Sequence, residues 1–292
     1  MRNIVAVTGV TGDVGGKTLS LLHEAGVPVR AIVRRQRQAN AFAARGIDAR
    51  VADLGDPHAL TRALEGVDQF FLVTAVSPEQ AEHGAVGVAA ARAADVRAIV
   101  HLSASDAAEE SPLPWAAAIW KTNELVRASG LAWTILHASG FMSNLTSSAP
   151  ALRRGFLPQT MGDGRIPWID TADIARVAAR VLQDGVHQGA EHVLTGPELL
   201  DGRALARALS RGLGREVRYV HLPSRVFAGM LRLTGMPTWF AEGLRQQFGR
   251  VARRAMDGID LRTDDVERLT GHPARSVTAW ARDNRATLLG MG

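Results

Sequence analysis

A glycine-rich turn near the start of the chain limits the possible folds more than any other feature. Gly9, Gly12 and Gly15 are spaced three residues apart and directly follow the apolar run Ile4–Val7. An apolar strand, a turn of bare backbone and a helix form the first part of a strand–helix–strand unit. In such a turn the glycines allow a sharp bend, a close approach to the backbone and tight packing of the helix on the sheet. The turn therefore predicts that the chain starts as an α/β fold.

The first 140 residues continue this alternation of short apolar runs and amphipathic stretches. The runs are apolar on both sides, as in parallel strands covered on both faces, so we predict a Rossmann-type, doubly wound parallel sheet. The predicted strands are Ile4–Val7, Val29–Val33, Ala49–Val51, Gln69–Val73, Ala98–Leu102 and Trp133–Leu136. The predicted helices are 14–25, 38–44, 57–65, 79–94 and 115–128.

The character of the sequence changes from about residue 196, where helical segments dominate. We predict a Rossmann core over 1–150 that also receives parts of 165–195. Residues 151–292 form a mixed region that ends in a smaller, mainly helical lobe on the substrate side. The predicted helices there are 201–211, 223–233, 238–255 and 275–287, with one strand at Val217–Leu222.

Composition excludes several classes of protein. The 292 residues include no cysteine, which excludes disulfides and cysteine-based metal sites. The nine histidines show no metal-ligand spacing, so we predict no metal. The sequence shows no export signal and no apolar stretch long enough to span a membrane, and we expect a soluble cytoplasmic protein.

The net charge of +5 comes with 34 basic residues, of which only Lys17 and Lys121 are lysines. Arg250, Arg253 and Arg254 form the densest basic patch, at helical spacing. We interpret this patch as a solvated helix face, with a phosphate-binding patch as the alternative. We expect a small-molecule substrate, no direct binding to nucleic acid or membrane, and a monomer or homodimer.

The helix after the glycine turn predicts the type of ligand. The first N–H groups of a helix have no partner within it, and behind a glycine turn they bind anions. We therefore predict that a dinucleotide binds here by its pyrophosphate, although a purely structural turn could also use two of these glycines. The predicted contacts are Gly9, Thr11, Gly12, Asp13, Val14 and Gly15.

The second predicted strand ends in Arg34, where an NAD-binding site usually has an acidic residue for the ribose 2′-hydroxyl. A guanidinium suits a 2′-phosphate, so we predict NADP(H). The alternative is an exposed arginine at a strand end. Further predicted cofactor contacts follow the third and fourth strands, although the same residue types are ordinary at strand ends: Asp53, Leu54, Thr74, Ala75 and Val76.

The motifs TGVTGDVGG, AIVRR, VADLGD and WKTNELVRASGLAWTILHASGFMSN resemble the NmrA-like branch of the atypical short-chain dehydrogenase/reductases. The resemblance extends to TGPELLDGRALARALSRGLGREVRYVHLP and TDDVERLTGHPARSVTAWARDN, and so covers nearly the whole chain. It implies NADP(H) on the glycine turn and a second lobe over the nicotinamide end. The branch includes quinone oxidoreductases, azo-dye reductases, reductases of secondary metabolism and non-catalytic NADP sensors.

The catalytic residues typical of short-chain dehydrogenases are only partly present. These enzymes use a serine, a tyrosine and a lysine four residues after the tyrosine. Here Lys121 is the candidate lysine, but Ala117 stands where the tyrosine would be. Ser105 lies twelve residues before Ala117, near the expected serine spacing, and Ser103 lies two residues earlier. Reduction of a ketone needs a positioned proton donor. The missing tyrosine therefore favours quinones, whose reduced anion is stabilised. We predict Lys121 as catalytic and ribose-binding, with an ordinary surface residue of the helix as the alternative, and Ser103 as cofactor-binding.

The last predicted strand of the core leads into the nicotinamide end of the site. The resemblance places Gly140 and Phe141 beside the cofactor, and Phe141 and Asn144 on the wall of the substrate pocket. His137 could donate a proton, but a histidine at a strand end is more often only hydrogen-bonded, and we do not count it as catalytic.

These observations lead to two hypotheses of different classes. The first is an NADPH-dependent oxidoreductase that transfers hydride to a quinone or related conjugated, electron-poor compound, and this includes a reductase of secondary metabolism. The second is a non-catalytic protein that senses NADP(H) and binds a protein partner.

Overall fold

The computed structural model describes residues 3–185, 188–233, 235–252 and 261–291. The chain forms two compact units. The first unit consists of Met1–Glu110, Trp115–His137 and Ala172–Val193, and the second of Ser111–Pro114, Ala138–Thr171 and Leu194–Gly292.

A seven-stranded sheet forms the centre of the first unit, in the order β3-β2-β1-β4-β5-β6-β8. Its neighbouring strands run parallel, as in the pairs β1–β2, β1–β4, β2–β3 and β4–β5. This order confirms the predicted Rossmann-type α/β fold. The strands described are β1 (Val5–Val7), β2 (Val29–Val33), β3 (Asp48–Val51), β4 (Gln69–Leu72), β5 (Ala98–Ala104), β6 (Ala132–Ala138), β7 (Phe156–Gln159), β8 (Ala190–Leu194) and β9 (Arg218–His221).

Helices follow most strands, and their bounds differ from the predicted ones by a few residues. The helices described are α1 (Asp13–Glu24), α2 (Gln36–Ala43), α3 (Pro57–Leu64), α4 (Gln80–Ala93), α5 (Pro114–Arg127), α6 (Ala149–Leu152), α7 (Thr171–Asp184), α8 (Gly202–Leu213), α9 (Ser224–Leu233), α10 (Thr238–Ala252), α11 (Asp265–Thr270), α12 (Val277–Asp283) and α13 (Arg285–Leu289), with a 3-10 helix at Met142–Ser148.

The core of the first unit shows why its central strands are mostly apolar. Every residue of β1, β2 and β4 is buried, including Phe70 and Phe71, which have no exposed surface. Removing apolar area from water on both faces of a strand stabilises the sheet without any need for alternating polarity. Between α4 and α5, Gly84 permits close packing, because a Cβ there would lie 2.0 Å from Thr122 Oγ1.

The second unit contains the predicted helical lobe and one strand that sequence patterns missed. The predicted strand at 217–222 is present as β9, and it pairs in parallel with β7. Residues 138–150 belong to this unit, although the predicted core extended to residue 150. Backbone bonds explain their place, since Met142 N donates to Ile169 O at 2.8 Å and Ile169 N donates to Gly140 O at 2.9 Å.

The predictions about membrane spans, metal sites and the basic patch can be compared only with the described residues. Among the residues described, no helix is both long and apolar enough to cross a membrane, and no three side chains form a metal-binding group. Of the predicted basic patch, Arg250 lies in the last turn of α10. Arg253 and Arg254 lie outside the described residues, as do the last three residues of the predicted helix 238–255.

Candidate functional site

The glycine turn between β1 and α1 has no room for side chains. Gly9 has a φ of +66°, and a Cβ there would lie 2.9 Å from Val73 Cγ1. A Cβ on Gly15 would lie 2.6 Å from the carbonyl oxygens of both Thr8 and Gly9. Two of the three glycines are thus required by geometry: Gly9 by its positive φ, and Gly15 because backbone oxygens cannot move away as a flexible side chain can.

The N-terminus of α1 has unpaired amide groups. Gly12 is the N-cap residue and provides no side-chain cap. In the described part of the chain, the backbone N–H groups of Asp13, Val14 and Gly15 make no hydrogen bond. Three unpaired donors at the positive end of a helix dipole form a site for an anion. The arrangement fits the pyrophosphate of the predicted dinucleotide.

The residues of this turn differ in their exposure to solvent. Thr11 and Asp13 are exposed, whereas Val14 is buried beneath the turn. The Asp13 carboxylate pairs with Lys17 at 3.2 Å, which is one helical turn away. Thr8, which sequence patterns missed, ties the turn to the end of β4. Its Oγ1 donates to Val73 O at 3.0 Å and accepts from Val73 N at 2.8 Å.

Arg34 follows the last residue of β2 and is exposed. Within the described ranges its guanidinium makes no hydrogen bond or ion pair. The side chain of Arg34 is therefore available to bind an anion at the carboxyl edge of the sheet. Its five N–H donors match the oxygens of a 2′-phosphate.

The segment after β3 forms a tight turn. Asp53 Oδ1 accepts a hydrogen bond from Gly55 N at 2.8 Å, and Asp56 Oδ1 caps α3 through Ala59 N at 2.9 Å. Asp53 is exposed, and its Oδ2 has no partner among the residues described. Leu54 is half-buried beside it. The turn holds Asp53 in place while one carboxylate oxygen stays available for a ligand.

The segment after β4 includes a residue that the sequence analysis did not consider. Thr74 Oγ1 accepts from Gln80 Nε2 at 3.2 Å, and Ala75 and Val76 are exposed. Gln80 is buried, yet its Oε1 has no partner in the described structure. A buried acceptor of this kind costs free energy unless something donates to it. Gln80 Oε1 thus suits a hydroxyl or amide donor of a bound cofactor.

Ser103 lies at the carboxyl end of β5 and is 4% exposed. Its Oγ accepts from Asn123 Nδ2 at 3.0 Å and lies 3.2 Å from His137 Nδ1. His137 Nδ1 also lies 3.4 Å from Ala104 O. Ser103 is therefore bonded to side chains from both α5 and β6.

The hydrogen-bonded chain continues from His137 to the edge strand of the sheet. His137 Nε2 lies 2.7 Å from Glu191 Oε2 on β8. Arg127 binds both oxygens of Glu191, at 2.8 and 2.9 Å, and also pairs with Glu124. The hydrogen bonds from Arg127 hold the pKa of Glu191 below its ordinary value, with a smaller contribution from His137. Glu191 is therefore ionised at neutral pH.

A second histidine, on β5, lies near the hydrogen-bonded series from Ser103 to Glu191. His101 on β5 is fully buried, and burial lowers its pKa from 6.5 to about 4. In this neutral ring Nδ1 donates to Leu72 O at 3.3 Å, while Nε2 has no partner in the described part of the structure. Since only the neutral ring fits this apolar surrounding, His101 is a core residue.

Lys121 lies on α5 but outside its buried face. The buried residues of that helix include Ile119, Thr122 and Asn123, whereas Lys121 is exposed. In the described structure its ammonium group makes no hydrogen bond or ion pair. A catalytic or ribose-binding role for Lys121 stays a prediction. Ala117, in the place of the usual tyrosine, is half-buried.

The predicted nicotinamide and substrate residues belong to the second unit. Gly140 packs closely, since a Cβ there would lie 3.1 Å from Ile166 Cγ2. Phe141 forms an isolated bridge with Ile169 and is half-buried. Asn144 is exposed, and its carbonyl oxygen accepts from Ser147 Oγ at 2.7 Å. The roles predicted for Gly140, Phe141 and Asn144 stay predictions.

The sequence analysis missed Asn123 and Glu191 as neighbours of Ser103 and His137. Asn123 could have been found as a polar residue at a buried position of α5, four residues after Ile119. Nothing in the sequence connects Glu191 with His137, because 54 residues separate them.

Comparison with known proteins identifies relatives along nearly the whole chain. The model of the NmrA-like family matches residues 1–269. An NAD(P)H azoreductase from Xenophilus azovorans is 34% identical over 284 residues, which cover 97% of this chain and 98% of the relative. A (4-alkanoyl-5-oxo-2,5-dihydrofuran-3-yl)methyl phosphate reductase from Streptomyces griseus is 34% identical over 283 residues, covering 96% of this chain and 98% of the relative.

A solved structure shows the same likeness in three dimensions. The crystal structure of an NADPH-dependent quinone oxidoreductase from Escherichia coli, in complex with NADPH, superposes with a TM-score of 0.86. It is 32% identical, and the alignment covers 96% of this chain and 99% of that one.

Proposed function

The chain belongs to the NmrA-like family, and from that membership we propose that it is an NADPH-dependent oxidoreductase. Its acceptor is a quinone or a related conjugated, electron-poor compound, a class that includes azo dyes. The three relatives support this proposal, since all are named as reductases or oxidoreductases and two are named for NAD(P)H or NADPH.

The unpaired amide groups of α1 carry the proposal. Asp13, Val14 and Gly15 present three backbone donors behind a turn in which a Cβ on Gly15 would collide with backbone oxygens. A turn that served only to reverse the chain would not need three uncapped N–H groups, because a side-chain cap would stabilise it. These donors suit the pyrophosphate of a dinucleotide.

Arg34 supports NADPH in preference to NADH. Its guanidinium has no acidic partner in the described structure, and a 2′-phosphate would supply one. Asp53 Oδ2 and Gln80 Oε1 would accept hydrogen bonds from other parts of the cofactor. These residues would hold the cofactor along the carboxyl edge of β1 to β4.

The nature of the acceptor follows from what the catalytic region lacks. When NADPH is bound, it supplies a hydride to the acceptor. A ketone would then require a strong proton donor at its oxygen, and Ala117 provides none. A quinone is reduced to a phenolate-type anion that needs less help from an acid. We therefore favour quinones and similar conjugated acceptors. We propose that the protein acts in the cytoplasm.

Binding and turnover test the proposal together. The purified protein is titrated with NADPH and with NADH by fluorescence, and oxidation of NADPH is then followed with menadione and with the azo dye methyl red. We expect tighter binding of NADPH and oxidation that depends on the acceptor. If no acceptor raises oxidation above the blank, the proposal of a reductase is wrong.

A second candidate function is a sensor that binds NADP(H) without turnover. The absence of a tyrosine at Ala117 favours it. Such a protein would bind NADPH tightly, leave every acceptor unreduced and capture a protein partner only with the cofactor present. A role in secondary metabolism is a narrower form of the first proposal, and the Streptomyces griseus relative supports it.

A further inference from the structure

We propose that Ser103, His137 and Glu191 form a proton relay, in which Ser103 is the group that protonates the reduced acceptor. The inference rests on the proposed reductase function and gives it the proton donor that the missing tyrosine would otherwise supply. His137 and Glu191 act through Ser103 and are positioning residues. All three side chains belong to the first unit.

The donors and acceptors among these three side chains determine in which direction each hydrogen bond points. Glu191 is ionised and can only accept, so His137 Nε2 must carry a proton and donate it to Glu191 Oε2 at 2.7 Å. Asn123 Nδ2 can only donate, and it donates to Ser103 Oγ at 3.0 Å. When His137 is neutral, its Nδ1 is bare, so Ser103 donates to it across 3.2 Å, and the more distant Ala104 O at 3.4 Å makes no hydrogen bond with it.

Protonation of His137 changes what the Ser103 hydroxyl can do. In the imidazolium form both ring nitrogens donate, so Nδ1–H donates to Ser103 Oγ at 3.2 Å and, more weakly, faces Ala104 O at 3.4 Å. Ser103 Oγ then accepts from His137 and from Asn123 with its two lone pairs. Its own O–H is released and can donate to another acceptor. The imidazolium form of His137 is therefore the form in which Ser103 can supply a proton.

The relay balances the proposed reaction. The acceptor gains two electrons and one hydrogen as hydride from bound NADPH, and Ser103 O–H adds the second hydrogen as a proton. Nδ1–H of His137 moves to Ser103 Oγ in the same step, which restores the hydroxyl. His137 is left neutral, with its Nε2–H on Glu191, and takes a new proton from water. The sum is acceptor, NADPH and one proton converted to reduced acceptor and NADP.

The placement of the chain suits a route from solvent to the cofactor edge. Ser103 lies at the carboxyl end of β5, next to β4, and the segment that contains Thr74 follows the carboxyl end of β4. The Glu191 side chain, at the other end, is 35% exposed on the edge strand β8. His137 links the two ends and is 15% exposed, so water can reprotonate it.

The relay makes a prediction about acceptor class. Reduction of an azo bond leaves a nitrogen anion that is a far stronger base than the phenolate of a hydroquinone. A proton donor is therefore more important for the azo dye than for the quinone. Loss of the relay should slow methyl red reduction more than menadione reduction, whereas loss of cofactor binding should slow both equally.

The first experiment examines the protein without cofactor. NMR spectra of the imidazole nitrogens report which nitrogen of neutral His137 carries the proton, and the His137→Ala variant assigns the signal. We expect the proton on Nε2, with a bare Nδ1. A proton on Nδ1 of the neutral ring would contradict the direction of the chain and overturn the relay.

The second experiment measures kcat in water and in D2O. We expect His137→Ala to reduce kcat for methyl red about 100-fold, which is typical of lost general acid catalysis, with no change in the Kd for NADPH. Added imidazole should restore part of this rate, since it can enter the space of the deleted ring. A residue that only supports the fold would not be rescued and would not alter the solvent isotope effect.

The third experiment replaces Glu191 with Gln and uses Glu124→Gln as the matched control, because both glutamates pair with Arg127. Glu124 also pairs with Arg127 but does not contact His137. We expect Glu191→Gln to lower kcat for methyl red and Glu124→Gln to leave it unchanged. If wild-type protein reduces both acceptors and the two variants behave alike, the relay fails while the reductase stands. If wild-type protein reduces neither acceptor, the proposed function itself fails.

Discussion

Asn123 and Arg127 lie one helical turn apart on α5 and bind opposite ends of one hydrogen-bonded chain. Asn123 donates to Ser103 at 3.0 Å, and Arg127 donates to both oxygens of Glu191 at 2.8 and 2.9 Å. Residues four apart on a helix share a face, so one helix holds side chains from β5 and β8. His137 on β6 lies between them. This helix face therefore determines the order of donors and acceptors along the chain.

Replacing Asn123 with Asp should break this order without changing its shape. The carboxylate cannot donate to Ser103, and α5 would bury a charge that has no cation bonded to it. We expect the free energy of unfolding to fall by about 1–3 kcal/mol, as for a buried polar group that loses its partner, and kcat to fall with it. Urea unfolding measures the first effect. The control is Asn40→Asp, because Asn40 is exposed and already accepts from Gln36. Equal losses in both variants would contradict the role of Asn123 as a donor.

Gly15→Ala tests the glycine turn. The new methyl group would lie 2.6 Å from two backbone oxygens, so the helix must shift and move the amide donors of α1. We expect loss of NADPH binding and a decrease in stability of about 1–3 kcal/mol, as for overpacking. Fluorescence titration and thermal unfolding report the two effects. In the control Gly229→Ala on α9, a Cβ meets nothing within 4 Å, and binding should not change. Unchanged NADPH affinity in Gly15→Ala would exclude this turn as the cofactor site.

Arg34→Ala tests the preference for NADP(H). Loss of a charged hydrogen-bonding partner of the 2′-phosphate should raise the Kd for NADPH ~10- to 100-fold, with no change for NADH. Fluorescence titrations with both cofactors measure the ratio. Arg207→Ala is the matched control, because Arg207 on α8 is also exposed and has no partner within the described ranges. If the affinity for both cofactors falls equally in Arg34→Ala, Arg34 does not bind the 2′-phosphate.

Lys121→Ala tests the predicted catalytic lysine, whose side chain is exposed on α5. If Lys121 binds the ribose and orients the nicotinamide, the variant should lower kcat about tenfold or more and raise the Kd for NADPH. Lys121→Arg keeps the charge and should recover part of the affinity. Steady-state kinetics with menadione provides both constants. Wild-type constants in Lys121→Ala would remove this residue from the catalytic assignment.

The buried His101 should make stability depend on pH. Its pKa is about 4 in the folded protein and about 6.5 when unfolded, so the unfolded chain binds more protons between these values. The stabilising contribution is complete above pH 6.5 and is lost as the pH falls towards 4. Between pH 7 and pH 5 the loss is about 2 kcal/mol. Urea unfolding at the two pH values measures it, and His101→Leu should remove this part of the pH dependence. An identical pH dependence in the variant would show that other groups cause it.

Much of the fold could be predicted because its signals are local. The strands β1, β2 and β4 are mostly apolar runs, with Arg30 in β2 and Gln69 at the start of β4 as the polar members, and each is a strand in the structure because both faces of the sheet are covered. The spacing of Gly9, Gly12 and Gly15 predicted a tight turn before a helix, and a bare backbone is what this turn requires. By contrast, β7 was missed, since Phe156–Gln159 is short and shows no period of two.

The residues of the candidate site also fall into those that local sequence signals predict and those that they do not. The residues of the glycine turn and Arg34 could be named from sequence, because each follows directly from the end of a strand. The neighbours of Ser103 could not be named in this way. Asn123, His137 and Glu191 come from a helix and two strands, and only the parallel packing of β5, β6 and β8 beneath α5 brings them together. Hydrogen bonds form between atoms about 3 Å apart, and sequence separation carries no information about that distance.

The sequence by itself therefore determined the fold class, the glycine turn and the absence of a tyrosine at Ala117. Tertiary structure alone decided which polar groups surround Ser103, because the register of the strands and the rotation of α5 place them there. Backbone conformation responds to neighbouring residues along the chain, whereas a hydrogen-bonded relay depends on contacts across the sheet.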